Sequence, residues 1–152
     1  MTPTISPNVT AMFEGYSDHP ARTMSMRSMD CVMRKDRESW LELWAEDGWV
    51  EDPIGVSFID PTGLGHHGPE GRAAFWDNNM APNSIVFDLH DSFACGNEVA
   101  NVATITITLP GGGTTKCEGV FAYRIDEAGK LRSLRAFWEL DRMMATMKGP
   151  EA

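Results

Sequence analysis

The chain has 152 residues, the length of about one typical domain, and a domain of this size buries about two thirds of the surface that its unfolded chain exposes. Hydrophobic residues make up 42% of the chain and charged residues 23%, which excludes intrinsic disorder and a fibrous repeat. The formal net charge of −9 repels nucleic-acid phosphates and anionic membrane surfaces. We therefore expect a globular protein that binds neither nucleic acid nor membranes.

The three cysteines, Cys31, Cys95 and Cys117, match neither a disulfide framework nor the spacing of a paired zinc site. We expect them to be buried, free thiols in a reducing compartment. The first 16 residues lack the basic segment and the apolar run of a signal peptide, and no stretch approaches the ~20 apolar residues of a membrane span. The sequence therefore predicts a cytoplasmic protein.

The N-terminal part of the chain predicts an extension followed by two helices. Residues 1–20 contain three prolines and a glycine with little periodicity, so they predict an extension that drapes over the domain without a defined fold of its own. Apolar residues at helical spacing predict a first helix from Ala21 to about Lys35. Asp36 is placed to cap a second helix, which the spacing of its apolar residues extends to about Asp47.

A strand, a loop and a third helix follow. The segment Gly48–Pro53 is typical of a short strand that ends at proline, because proline forces the residue before it into extended geometry. The loop Val56–His67 is rich in turn residues. Pro69 suits the first position of a helix, so it predicts a third helix that ends before Pro82.

Downstream of the third helix, apolar residues recur at every second position, which is the period of a half-buried strand. These sets are Ile85, Phe87 and Leu89; Ile105, Ile107 and Leu109; Cys117, Gly119, Phe121, Tyr123 and Ile125; and Leu134, Ala136, Trp138 and Leu140. Gly111–Gly113 and Asp126–Gly129 predict hairpin turns. Helices followed by an antiparallel meander predict one α+β domain over residues 21–145, with a tail of residues 146–152. We expect its helices to pack on one concave face of the sheet and to enclose a pocket.

Asp52 is the first candidate for chemistry. In an alternating strand its side chain lies on the same face as Val50, whereas Glu51 lies on the same face as Trp49. One of the two carboxylates therefore points into the domain and the other into solvent, and the sequence leaves open which one. If Asp52 is the inward residue, burial raises its pKa and makes it a usable general base near neutral pH.

Four segments carry a resemblance to one family: Leu43–Gly55, Gly68–Asn78, Phe121–Lys130 and Arg135–Trp138. From about Arg22 to Asp141 the chain resembles the ketosteroid isomerases of the nuclear transport factor 2-like, polyketide cyclase-like superfamily. The resemblance implies a cone-shaped α+β fold in which three N-terminal helices pack on a curved, mainly antiparallel sheet. It also implies that Asp52, in the run Glu-Asp-Pro-Ile-Gly, is the base that moves a proton between two carbons of a steroid.

Two positions depart from this family, whose members stabilise the oxyanion of the intermediate with a tyrosine and a protonated aspartate. Counting from Asp52 without gaps, Ser28 stands at the tyrosine position and Phe121 at the aspartate position. Loss of such donors costs several kcal/mol of transition-state stabilisation, which predicts slow isomerisation by the family's route. The sequence does not choose among the possible replacement donors Tyr16, Tyr123, His90 and Trp138.

The resemblance also implies a pocket for a flat, hydrophobic ligand. The predicted substrate-binding residues are Ser28, Trp44, Phe75, Phe121, Tyr123 and Trp138. The aromatic side chains among them are equally typical of a plain core, and the methionines of the first helix favour a core over a pocket wall. The loop Val56–His67 is longer than in the isomerases, which indicates a lid.

Neither a metal site nor a cofactor site is predicted. His66 and His67 are adjacent, so their side chains point in different directions, and we interpret them as a solvated loop pair. His90 alternates with the apolar Leu89, which places it outside the core. Gly111–Gly113 lack the strand-to-helix context and the lysine of a phosphate-binding loop. We expect an activity that uses no cofactor.

Three functions remain open. The first is a cofactor-independent acid–base enzyme that acts on a steroid-like or polycyclic substrate, with steroid isomerisation by Asp52 as the parent reaction. The second is a lyase, dehydratase or cyclase in the same cavity, for example one that cleaves an aromatic compound by a retro-aldol step. The third is a protein that binds a steroid-like ligand without turning it over. A hydrogen-bond donor that faces Asp52 across the cavity favours an enzyme over a binding protein.

The resemblance also implies that the protein forms a symmetric homodimer.

Overall fold

A computed structural model describes residues 5–150 of the chain and has an α+β fold. Its helices lie on one side of a curved, six-stranded sheet, as predicted. The helices are α1 (Pro7–Met12), α2 (Pro20–Arg34), α3 (Arg37–Glu42), α4 (Gly68–Phe75), a π-helical turn (Trp76–Met80) and α5 (Leu140–Met144). The strands are β1 (Trp44–Glu51), β2 (His66–His67), β3 (Ser84–Cys95), β4 (Glu98–Thr108), β5 (Thr114–Ile125) and β6 (Leu131–Phe137).

The sheet has the strand order β2-β1-β6-β5-β4-β3. Strands β3 to β6 form the predicted antiparallel meander, whereas β1 pairs in parallel with β6. The register shifts between Leu89 and Asp91 on β3 and between Arg124 and Ile125 on β5. Such irregularities bend a strand, and the bent sheet forms the concave wall on which α2 and α4 pack.

The predicted first and third helices are confirmed, but the second is too long. Helix α3 ends at Glu42, not near Asp47, because β1 begins at Trp44 and pairs with Leu131 of β6. Gly48 lies so close to this neighbour that a Cβ there would meet the Leu131 carbonyl oxygen at 3.0 Å. Pairing with a distant strand therefore overrides the local helical spacing of the apolar residues.

Each terminal segment, within residues 5–150, contains a short helix that the sequence does not predict, and residues 1–4 and 151–152 lie outside the described residues. The N-terminal extension contains α1, and its Val9 and Phe13 side chains are buried in the core. At the other end β6 stops at Phe137, so the prediction that Trp138 and Leu140 belong to the strand is wrong. The chain turns there into α5 and lies back against β5.

The core contains a cluster of aromatic rings under α4. The Trp40 ring centroid lies 5.3 Å from that of Trp44, 6.4 Å from that of Phe75 and 5.2 Å from that of Trp76. All four side chains are buried. Met24 and Met29 of α2 are also buried in the core, as expected. This cluster anchors α3 and α4 to the start of β1.

The cysteines and the two adjacent histidines lie only in part where the sequence predicts them. Cys31 and Cys117 are buried, but Cys95 is exposed at the end of β3, which corrects the expectation that all three are buried. His66 and His67 are not a solvated loop pair, because they form β2 and pair with β1.

Among residues 5–150, no helix combines the length and the apolar character needed to cross a membrane.

We expect Phe13→Ala to destabilise the protein by about 3 to 5 kcal/mol, the usual cost of truncating a buried phenylalanine. Leu64→Ala is the control, because the Leu64 side chain is 72% exposed and exposed substitutions usually change stability by about 0.5 kcal/mol or less. Urea unfolding of both variants measures the difference. Equal, small losses would show that the N-terminal extension does not belong to the folding unit.

Candidate active site

A cavity of about 390 Å³ lies between the helices and the concave face of the sheet, within the usual size range of small-molecule sites. Its wall is mainly apolar. The apolar lining side chains include Val32, Trp40, Phe75, Ile85, Phe87, Ile105, Ile107, Phe121 and Leu134. Polar groups reach this wall at a few positions, and Asp52 is the carboxylate among them. The cavity therefore suits a largely hydrophobic ligand.

The structure resolves the direction of the two neighbouring carboxylates. Glu51 points outward, where its Oε2 atom lies 2.8 Å from Nε of the exposed Arg135. Val50 is fully buried and Asp52 lies on the same side, where it lines the cavity. The Ile54 amide then donates to the Ala136 carbonyl at 3.0 Å, which holds the chain beyond Asp52 against β6.

Burial raises the pKa of Asp52 to about 6, and a hydrogen bond from Trp138 opposes part of this rise. The Trp138 indole donates from Nε1 to Oδ1 of Asp52 at 2.5 Å. An ionised carboxylate is poorly solvated on an apolar wall, so its proton is held more tightly than in water. Asp52 is thus mostly ionised at neutral pH and accepts a proton readily, which are the properties of a general base.

A hydroxyl group faces the same cavity from β5. Tyr123 is buried, and both its burial and the negative charge of Asp52 raise the pKa of its phenol, while Ser28 lowers it through a hydrogen bond. The Ser28 oxygen accepts from Nε1 of Trp40 at 3.2 Å. Because an indole N–H only donates, this contact leaves the Ser28 hydrogen free to point toward Tyr123. The Tyr123 hydrogen is then available to a ligand.

The other possible replacement donors lie elsewhere or are already used. The Tyr16 hydroxyl donates to Oδ1 of Asp91 at 3.2 Å, outside the cavity. His90 is exposed on the sheet and bonds Thr104 at 2.7 Å. The Trp138 indole N–H is donated to Asp52. Of these four candidates, Tyr123 is therefore the one whose hydroxyl lines the cavity and is not donated to Asp52 or Asp91.

The structure places five of the six predicted substrate-binding residues on the cavity wall: Ser28, Phe75, Phe121, Tyr123 and Trp138. Trp44 is the exception. It lies behind Trp40, with the Arg72 guanidinium 5.7 Å from its ring centroid. Arg72 also donates to the Gly48 carbonyl at 2.7 Å. Trp44 therefore supports the start of β1 and does not contact the cavity.

Several wall residues are absent from the predicted set: Trp40, Phe58, Ile59, Asn78, Asn79, Asn83, Cys117, Met143, Met144 and Met147. Cys117 was predictable, because it alternates in register with Phe121 and Tyr123 on β5. Burial and the charge of Asp52 raise the pKa of its thiol. The methionines come from α5 and the tail, whose short sequences have no clear period.

The loop Val56–His67 borders the cavity through Phe58 and Ile59. It is folded around Asp60, whose carboxylate accepts from the Gly65 amide at 2.8 Å and from the Thr62 hydroxyl at 3.0 Å. Phe58 is nevertheless 66% exposed. The position of the loop agrees with a lid, and its movement stays a prediction.

Within the described part of the chain, no cluster of three or more metal-ligating side chains is found.

Comparison of the chain with known proteins finds a matching family model and similar solved structures. Residues 26–134 match the family model of the SnoaL-like domain. Rv0760c from Mycobacterium tuberculosis is 36% identical with a TM-score of 0.79, and the match covers 87% of this chain and 97% of that one. That protein has also been solved in complex with estradiol-17beta-hemisuccinate.

Two further solved structures are similar over most of their length. The Delta5-3-ketosteroid isomerase from a Mycobacterium species is 37% identical with a TM-score of 0.79, over 86% of this chain and 98% of that one. A computationally designed 17-OHP binder is 34% identical with the same TM-score, over 86% and 98% of the two chains. No curated protein matches the chain.

We expect Asp52→Asn to stabilise the protein at neutral pH. The pKa of about 6 in the folded protein lies above that of an unfolded aspartate, about 3.9, so the folded state binds the proton more tightly. The contribution of Asp52 to the stability of the wild type therefore falls as the pH rises from about 4 to about 6, and the variant lacks this loss. The advantage of the variant grows by about 2 to 3 kcal/mol over this range, at ~1.4 kcal/mol for each pKa unit.

Urea unfolding between about pH 4 and pH 8 tests this expectation. Asp88→Asn is the control, because Asp88 is exposed on β3 and its replacement removes no buried charge. Parallel stability curves for the wild type and Asp52→Asn would contradict the raised pKa of Asp52.

Proposed function

The chain belongs to the SnoaL-like domain family, and on this basis we propose that it is a cofactor-independent acid–base enzyme that acts on a flat, hydrophobic, steroid-like carbonyl compound. One observation carries the proposal: the Asp52 carboxylate and the Tyr123 hydroxyl face the same apolar cavity. A base and a hydrogen-bond donor in one apolar site are what proton transfer next to a carbonyl requires. The similar ketosteroid isomerase supports this choice of reaction.

In the proposed reaction Asp52 removes a proton from the carbon next to the substrate carbonyl. The electron pair of the broken C–H bond moves toward the carbonyl oxygen and forms a dienolate. Asp52, now protonated, returns the proton to a second carbon of the same conjugated system, and the double bond shifts. No atom or electron is gained or lost, so the step uses no cofactor.

Tyr123 stabilises the charge that develops on the oxygen. Its phenol donates a hydrogen bond to the dienolate, and the chain from Trp40 through Ser28 orients that phenol. The apolar wall strengthens the bond, because electrostatic interactions are less screened where water is excluded. Ser28 replaces the family's tyrosine in sequence, yet in this mechanism it supports a tyrosine that comes from β5.

Phe121 leaves the site with one strong donor where the family uses two. Removal of one oxyanion donor typically lowers turnover by about 10²- to 10³-fold. We therefore expect isomerisation to be slower by about this factor than in a relative that has both donors.

A second candidate function is binding without turnover. The apolar ring of Phe121 at the second donor position favours it, and a protein 34% identical is a designed 17-OHP binder. The cavity, the ligand class and the role of Tyr123 as a donor are then the same. The lyase or cyclase alternative also shares the cavity and Asp52, and differs in the bond that is broken.

The homodimer and the cytoplasmic location remain predictions. In support of a dimer, the outer face of the sheet carries three exposed apolar side chains: Val86, Phe93 and Phe137. Each lies next to a residue that points into the domain. Exposed apolar side chains on an open sheet face are available to an association surface.

We expect Tyr123→Phe to lower the conversion of 5-androstene-3,17-dione by about 10²-fold, because it removes one oxyanion donor. Asp52→Asn removes the base and is expected to lower conversion by at least ~10³-fold. The absorbance of the conjugated product measures both. Tyr16→Phe is the matched control, because the Tyr16 hydroxyl bonds Asp91 outside the cavity, and it is expected to leave turnover unchanged.

The outcomes separate the candidate functions. Conversion that persists in Asp52→Asn would overturn the proposed mechanism. Equal losses in Tyr123→Phe and Tyr16→Phe would remove the assigned role of Tyr123. Saturable binding of the ketosteroid with no Asp52-dependent conversion would favour the binding protein over the isomerase.

A further inference from the structure

Three asparagines line the cavity within six residues of sequence: Asn78, Asn79 and Asn83. The mechanism proposed above uses none of them. They lie on the π-helical turn and on the loop that leads into β3. Polar side chains on an otherwise apolar wall orient a ligand and give the site its specificity.

The π-helical turn brings this segment to the cavity. The Ala81 amide bonds the Trp76 carbonyl at 2.9 Å, which closes the wider turn of a π-helix. Phe75, Asn78 and Asn79 all contribute to the cavity wall. Turns of this kind are rare and are often found at functional sites. The π-helical turn therefore favours a functional role for this edge of the cavity, in addition to a role in packing.

Hydrogen bonds hold the Asn79 and Asn83 carboxamides in place and leave part of their hydrogen-bonding capacity free. Asn79 donates from Nδ2 to the Phe75 carbonyl at 3.1 Å, and Asn83 donates from Nδ2 to the Asn79 carbonyl at 2.8 Å. An amide has two N–H donors and one oxygen acceptor. After these bonds the Asn79 and Asn83 side chains each keep one N–H and their Oδ1 atom for a ligand. Asn78 is exposed at the edge of the cavity.

The asparagines lie away from the acid–base pair. The chain at Asp52 is held against Ala136, which pairs with Phe121 near the middle of β5. Asn83 directly precedes Ser84, which pairs with Thr108, and Thr108 pairs with Thr114 at the start of β5. The wall between these levels is mainly apolar, with Ile85, Phe87, Ile105 and Ile107. The cavity thus has polar groups at two levels and an apolar wall between them.

We propose that Asn78, Asn79 and Asn83 form a subsite for a second, uncharged oxygen of the substrate, a hydroxyl or a carbonyl at the end remote from the reacting carbonyl. Carboxamides both donate and accept, so they fit either group. Among the described residues, the cavity wall carries no lysine or arginine, which disfavours a carboxylate or a phosphate at this end. The substrate class is then an elongated, apolar compound with an oxygen at both ends. This assignment rests on the proposed function, because Asp52 and Tyr123 set the orientation of the substrate.

Binding of estradiol and of its 17-deoxy analogue tests the subsite, because the two phenols differ only in the remote hydroxyl. Quenching of tryptophan fluorescence gives both dissociation constants. We expect the wild type to bind estradiol about 5- to 10-fold more tightly, the contribution of about one hydrogen bond. Asn78→Leu and Asn79→Leu are expected to reduce this preference to about twofold or less by removing the polar groups. Asn8→Leu, on the exposed surface of α1, is the matched control and keeps the preference.

The failures of the two proposals are distinguishable. If the wild type binds both phenols equally, or if both cavity variants keep the full preference, the subsite is overturned. In that case weaker binding of the 17-deoxy phenol by Tyr123→Phe would leave the acid–base site standing. If neither phenol binds, both proposals fall. Asn78 is exposed, so its replacement leaves the fold intact and keeps the test decisive.

Discussion

The chemistry of the cavity depends on the placement of one carboxyl group. Asp52 faces an apolar wall, and the Trp138 indole donates to it at 2.5 Å. Water would solvate an ionised carboxylate at several positions, so burial favours the neutral form. The indole restores part of that solvation, and the two effects leave a pKa of about 6. The same apolar wall therefore raises the pKa of Asp52 and lines a cavity that suits a hydrophobic ligand.

The strand pairing of the sheet explains how these groups meet. Strands β1 and β6 are parallel, so their C-terminal ends lie at the same edge of the sheet. Asp52 directly follows β1 and Trp138 directly follows β6, which brings together two residues that are 86 positions apart. Tyr123 stands on β5, the other neighbour of β6. The donor, the base and the group that holds the base thus come from three adjacent strands.

Much of this arrangement is readable from sequence, but pairing between distant segments is not. The alternation of Val50 and Asp52 and the period of β5 predict which residues share a face. They do not reveal that β1 begins at Trp44, since helical spacing and strand pairing compete there and the distant β6 decides the outcome. The resemblance implies that Trp44 lines the pocket, whereas in the structure Trp40 lines it and Trp44 lies behind Trp40. The role proposed for Tyr123 also rests on the bond from Trp40 to Ser28 beside it, which no local pattern encodes.

The titration of Asp52 tests the central claim most directly. Carbon-detected NMR of the carboxylates follows Asp52 in the wild type, in Trp138→Phe and in the control Trp49→Phe, whose indole bonds Glu51 on the other face of the strand. We expect a pKa of about 6 in the wild type, a higher pKa in Trp138→Phe, because a bond to the ionised form is lost, and no change in the control. An ordinary or depressed pKa for Asp52 in the wild type would contradict its proposed role as a general base on the apolar cavity wall.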